Sequence, residues 1–189
     1  MSRLEAAGLL LCGALLPATA LSGPLPGLLA EGPDPSQAAG LTLFVPLLGH
    51  WDYSYRFFDA SGKVREQGTG TWDFTWILGG RSIQDTQSFH TADGRLSELG
   101  TTLRIPLGQG VWRAIWDGTL RGNVCTLTAR ADPEGIVMDG HCNQDPEPER
   151  WMFRDISASG FEWRGYLSSD QGRHWILEEE ISARRGAGI

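Results

Sequence analysis

From His50 to Arg184 the chain alternates apolar and polar positions, with breaks at Gly, Pro and Asp clusters. The clearest stretch is Thr69 to Gln87. Gly70, Trp72, Phe74 and Trp76 fall on one face of an extended segment, and Thr71, Asp73 and Thr75 on the other. A period of two marks a half-buried β-strand. Gly79-Gly80 supplies the turn, because glycine reaches positive φ without a Cβ clash, and Ser82 to Phe89 returns as a second strand. The same reading predicts strands over His50–Phe58, Val64–Leu78, Arg81–His90, Leu96–Ile105 and Val111–Asp117. It continues through Asn123–Ala131, Ile136–Cys142, Arg150–Ile156, Phe161–Ser168 and His174–Arg184. Sequential strands with short connections form an antiparallel meander, and a meander this long hides its edges by closing. The predicted fold is therefore all-β: a single up-and-down antiparallel barrel of about ten strands.

The strands are preceded by different material. Pro24 to Pro35 is rich in Pro and Gly and reads as a linker. Asp34 as N-cap and Pro35 at N1 predict a short helix over Ser36 to Leu43, which Pro46 prevents from running on. The expected organisation is an N-terminal extension or signal peptide at 1–25, linker and short helix at 26–49, the barrel at 50–185 and a tail at 186–189. Ala6 to Leu16 is an apolar run of signal-peptide length, with Arg3 before it and Ala18-Thr19-Ala20 after it, but Glu5 lies in its short basic region. It is too short to span a bilayer. A cytoplasmic location is expected, or a secreted one if residues 1–20 are a signal peptide.

Composition narrows the function. The 189 residues carry 16 Lys+Arg against 23 Asp+Glu, a formal charge of −7, with no basic run to track a phosphate backbone, so nucleic acid is not the expected partner. Lys63 is the only lysine and lies beside a turn, which disfavours Schiff-base chemistry. His50, His90, His141 and His174 show no metal-ligand spacing, and no nucleophile elbow or phosphate loop is present. Neither a metal nor a cofactor is expected. Cys125 and Cys142 flank the turn at Asp132-Pro133-Glu134-Gly135. Pro133 cannot take the positive φ of a two-residue type I′ loop, so a three-residue loop with a bulge is expected, which sends the two thiols to opposite faces and predicts no disulfide.

Gly49-His50-Trp51, with a short helix ahead of a long strand, resembles the G-x-W start of the calycins, the lipocalin and fatty-acid-binding-protein superfamily. More closely, the chain is similar to a group of mostly actinobacterial lipocalin-like proteins. The matching segments are Leu28–Pro35, Trp72–Asp85, Gly100–Arg104, Trp112-Arg113 with Trp116, Arg150–Phe153, Phe161–Arg164, Ser169–Trp175 and Ser182–Arg185. They span about 28 to 185. The resemblance implies a barrel with an apolar interior able to hold a small ligand. It also implies that Arg184 or Arg185 lies over Trp51 and closes the base.

The eight tryptophans give that interior its expected character. Trp72, Phe74, Trp76, Trp112, Trp116, Trp151, Phe153, Phe161 and Trp163 are the inward aromatic set. Arg81, Asp85 and Arg104 are the expected polar anchors, and Gln87, Glu178 and Glu180 are further polar groups near it. Arg81 and Asp85 share one strand face, so burial would force them to pair with each other or with a ligand. On the last strand, Leu177, Glu179 and Ile181 form the face expected to point inward. Trp76 and Arg81 flank Gly79-Gly80 and are expected at the mouth where a ligand enters. The function these features predict is binding of a small hydrophobic or aromatic molecule. The alternative is a cofactor-free cyclase or isomerase of secondary metabolism, with Arg81 and Asp85 acting on the bound molecule.

Overall fold

The computed structural model describes residues 28–143 and 145–186; the apolar run considered as a signal peptide lies outside them. Ten strands form a closed antiparallel barrel in the order β1-β10-β9-β8-β7-β6-β5-β4-β3-β2. They are β1 Gly49–Phe58, β2 Val64–Ile77, β3 Ser82–Thr91, β4 Leu96–Gly108 and β5 Val111–Gly118. β6 Asn123–Asp132, β7 Gly135–Cys142, β8 Glu149–Arg154, β9 Gly160–Leu167 and β10 Ile176–Arg185 complete it. Each strand pairs with its neighbours in sequence, and β1 closes on β10, with Trp51 opposite Arg185 and Phe57 opposite Glu179. Closure leaves no free edge, as the meander requires.

The short helix does not form. Residues 38–40 and 45–47 make two 3₁₀ turns instead. Asp34 Oδ1 accepts from the Ser36 amide at 2.9 Å and from the Ser36 hydroxyl at 2.8 Å, and the Asp34 amide donates to Gly80 O at 3.0 Å. Asp34 therefore shapes a local turn and ties the arm to the β2–β3 hairpin, an alternative to helix that its side chain favours.

The two cysteines are joined. Asp132 pairs with Gly135, so the β6–β7 loop is the two residues Pro133-Glu134, and Cys125 falls opposite Cys142. The expected bulge is absent because neither loop residue needs a positive φ. Gly135 absorbs the bend at φ 146°, and Asp132 Oδ1 accepts from the Glu134 amide at 3.0 Å. Both sulfurs face inward, and the Cys125–Cys142 disulfide links β6 to β7 across a Cα separation of 3.9 Å.

One end of the barrel is sealed. Trp51 is fully buried, donates from Nε1 to Leu47 O at 2.6 Å, and meets Phe161 edge to face at 4.8 Å. The Arg185 guanidinium lies 3.5 Å from the Trp51 ring centre and donates to Leu48 O at 2.6 Å. Of the two candidate arginines, Arg185 is thus the one that closes the base; Arg184 points outward. Phe44, from the segment before β1, plugs the same end against Trp112 at 5.4 Å and Phe153 at 6.4 Å.

Candidate functional site

The β2–β3 turn lies at this sealed end, which corrects the expected entrance. Gly79 and Gly80 have φ of 65° and 80°, and a side chain at Gly80 would run into the backbone of residues 32–34. The Ala30 amide donates to Trp76 O at 2.9 Å, so the N-terminal arm covers the turn. Trp76 is buried beneath it. Arg81 lies on the outside, pairing with Asp34 through Nε at 2.8 Å. It does not reach Asp85.

Asp85 instead pairs with Arg104. Both are buried, on the adjacent strands β3 and β4, and Asp85 Oδ1 also accepts from the Thr102 amide at 3.1 Å. The Arg104 guanidinium lies 4.9 Å from the Phe44 ring centre and 5.0 Å from that of Phe74. Burial lowers its pKa, and the carboxylate of Asp85 is the compensating charge. Arg104 touches both the packed aromatic floor and the space above it. Phe74, Trp112 and Phe153 belong to that floor.

Above the floor a cavity of about 80 Å³ opens toward the opposite end, with about 540 Å³ of unfilled space when the funnel to solvent is counted. One wall is a run of indoles in edge-to-face contact. Trp116 meets Trp151 at 6.4 Å, Trp151 meets Trp163 at 5.6 Å, and Trp163 meets Trp72 at 6.4 Å. Glycines make room for them: a side chain at Gly100 would collide with the Trp116 ring, and one at Gly165 with the Trp163 ring. Of the expected ligand-binding residues, the structure brings Trp72, Arg104, Trp116, Trp151 and Trp163 to the cavity. Phe74, Trp76, Arg81, Asp85, Trp112 and Phe153 are not among its lining residues.

Six polar lining residues are not among the expected anchors: Gln87, Glu98, Thr102, Arg121, Asn123 and Glu179. Glu98 is buried and accepts from the Leu120 amide at 2.8 Å and the Arg121 amide at 2.9 Å, which fixes the β5–β6 turn at the rim. Arg121 reaches Glu66 at 2.9 Å and lies 4.5 Å from the Phe57 ring centre. A bulge in β10 between Leu177 and Glu179 sets Glu179 and Ile181 facing the cavity. The Glu179 pKa is pushed up to about 8, first by burial. Arg121 and Arg65 oppose that rise, and Glu149 and Glu178 add to it. Among the described residues its Oε1 has no hydrogen-bond partner, nor do Trp72 Nε1, Gln87 Nε2 or Arg104 Nε. The inward alternation of Gln87 with Asp85 and of Glu179 with Ile181 was legible; Arg121 lies in the β5–β6 turn and Glu98, on β4, caps that turn, whose geometry was not.

The Cys125 and Cys142 sulfurs and a Glu149 carboxylate oxygen lie within 4.8 Å of one another. The sulfurs are bonded to each other, so their lone thiolate chemistry is not on offer, and Glu149 is taken up by Trp151 Nε1 at 2.9 Å. Among the described residues no helix is long and apolar enough to cross a membrane.

Solved structures share this architecture. Rv2717c from M. tuberculosis superposes with a TM-score of 0.64 at 15% identity, over 82% of this chain and 99% of that one. The S-type phycobiliprotein lyase CPES from Guillardia theta gives a TM-score of 0.53 at 9% identity, over 77% of this chain and 92% of that one. The fold is a calycin-like barrel. No family model matches the chain and no curated protein matches it in sequence.

Proposed function

We propose that this barrel binds a small hydrophobic or aromatic molecule in the cavity between the indole wall and β3–β4. The observation that carries the reading is a concave, mostly apolar space, lined by Trp72, Trp116, Trp151 and Trp163, whose lining residues carry polar atoms with no partner among the described residues. Apolar walls with a few convergent polar groups are the usual make-up of a ligand site. Arg81 and Asp85 are engaged with Asp34 and Arg104, so the geometry gives no support to a reaction run by that pair.

Titration with 2-ethylnaphthalene, followed by intrinsic tryptophan fluorescence, tests the reading. Four indoles line the cavity, so occupancy should quench or shift the emission saturably. Thr102 is buried and lines the cavity, and Thr102→Phe should fill it and abolish the response while circular dichroism stays that of the parent. An unchanged response in a folded Thr102→Phe variant would place binding elsewhere. Absence of any response to flat apolar probes would refute the reading.

A further inference from the structure

Native proteins leave few buried polar atoms unpaired, because each one forgoes its hydrogen bonds to water without replacement. Among the described residues three N–H donors are left so on residues lining one cavity: Trp72 Nε1, Gln87 Nε2 and Arg104 Nε. Trp72 pairs across β1–β2 with Trp51, the residue of the seal, and across β2–β3 with Gln87. Arg104 rests on Phe44 of the plug. The three donors therefore lie toward the sealed end. The charge of Arg104 is already balanced by Asp85, so a neutral acceptor satisfies this set without bringing a second anion into the interior.

The other end of the cavity has the opposite polarity. Glu179 pairs with Phe57, next to the last residue of β1 at the open end, and its shielded Oε1 has no hydrogen-bond partner among the described residues; with or without its proton, the carboxyl keeps an oxygen that accepts. Arg121, a basic side chain lining that rim, is committed to Glu66.

We propose that the ligand is an elongated, mostly apolar molecule with a neutral hydrogen-bond acceptor, such as a carbonyl oxygen, at the end that enters first and a hydrogen-bond donor, such as an amine, at the trailing end. This rests on the binding function proposed above. The acceptor meets the donors of Trp72, Gln87 and Arg104, the indole wall covers the body, and the trailing donor meets Glu179.

Four probes on one naphthalene core separate these contributions: 2-ethylnaphthalene, 2-acetylnaphthalene, 6-amino-2-ethylnaphthalene and 6-amino-2-acetylnaphthalene. Calorimetric titration of the full chain should give the acetyl compounds about fivefold tighter binding than their ethyl counterparts, the scale of a net buried hydrogen bond. Trp72→Phe keeps a ring and removes the donor, and Gln87→Met keeps the shape. Either should bring the acetyl-to-ethyl ratio down by a factor of about two or more. The amino group should add a similar gain that disappears in Glu179→Met. Equal binding of acetyl and ethyl compounds, or a ratio unchanged in both donor variants, overturns the leading acceptor and leaves these donors to water. An amino group without effect, or with an effect that survives Glu179→Met, overturns the trailing donor. Binding by none of the four overturns the binding function itself.

Discussion

Replacing Asp85 by Asn should be among the most damaging conservative changes in this protein. The Asp85 and Arg104 side chains are 0% and 2% exposed, and Asp85 is the only acidic partner of Arg104 among the described residues. Asn keeps the shape and still accepts from the Thr102 amide, so the change removes the charge and little else. The guanidinium is then left among Phe44, Phe74 and Phe153, with ring centres at 4.9, 5.0 and 5.9 Å. Contacts of that kind return up to about 2 kcal/mol when desolvated, whereas breaking a buried pair by removing one partner costs about 3–5 kcal/mol. The loss is a large share of a stability that for a domain of ordinary size is about 5–15 kcal/mol. Urea unfolding at neutral pH of the parent, Asp85→Asn, Arg104→Met and the double variant measures it. The double variant should recover most of the loss, because neither charge is then buried alone. A loss under about 1 kcal/mol for Asp85→Asn, or single losses that simply add, would refute the reasoning.

Trp51→Ala should cost about 3–5 kcal/mol, as truncation of a fully buried ring does, and Arg185→Ala should also lower the melting temperature, whereas outward-facing Arg184→Ala should not; thermal melts of the three variants check this. Arg81→Ala removes an exposed ion pair and should cost at most about 1 kcal/mol in the same melts. Thiol titration of the unfolded, unreduced full chain should find one reactive group, Cys12, and three after reduction, while Cys125→Ser should lose about 3 kcal/mol by the loop-closure argument. Because Glu179 titrates higher in the folded state than in the unfolded chain, the folded state holds the extra proton between the ordinary glutamate range and about pH 8. Stability should therefore fall as pH rises through that window, and Glu179→Gln should flatten the fall in urea melts at pH 5, 7 and 9.

Much of the architecture is legible in the chain because its causes are local. Trp72, Phe74 and Trp76 alternate with Thr71, Asp73 and Thr75, and that pattern can satisfy a core on one face only as a strand. Ten such segments with short turns leave closure as the way to pair every edge, and the Trp51 seal follows from residues within the resemblance. What the sequence could not decide depends on partners far apart in the chain. On β4 the buried face is Glu98, Gly100, Thr102 and Arg104, while Leu99 is left 45% exposed. Hydrophobicity alone argues for the reverse. The polar face wins because the β5–β6 turn satisfies Glu98 and Asp85 neutralises Arg104, neither of which is visible from β4 itself. Asp85 and Arg81 share a strand neighbourhood, yet Asp34, 47 residues before Arg81, takes the arginine. The disulfide turned on one residue of loop length, which the Asp132 carboxylate and Gly135 set together. Periodicity determines which elements form, since it acts through nearest neighbours. Which charges meet, which end is sealed and which polar atoms remain free for a ligand are decided only when the sheet closes and brings distant strands to one wall.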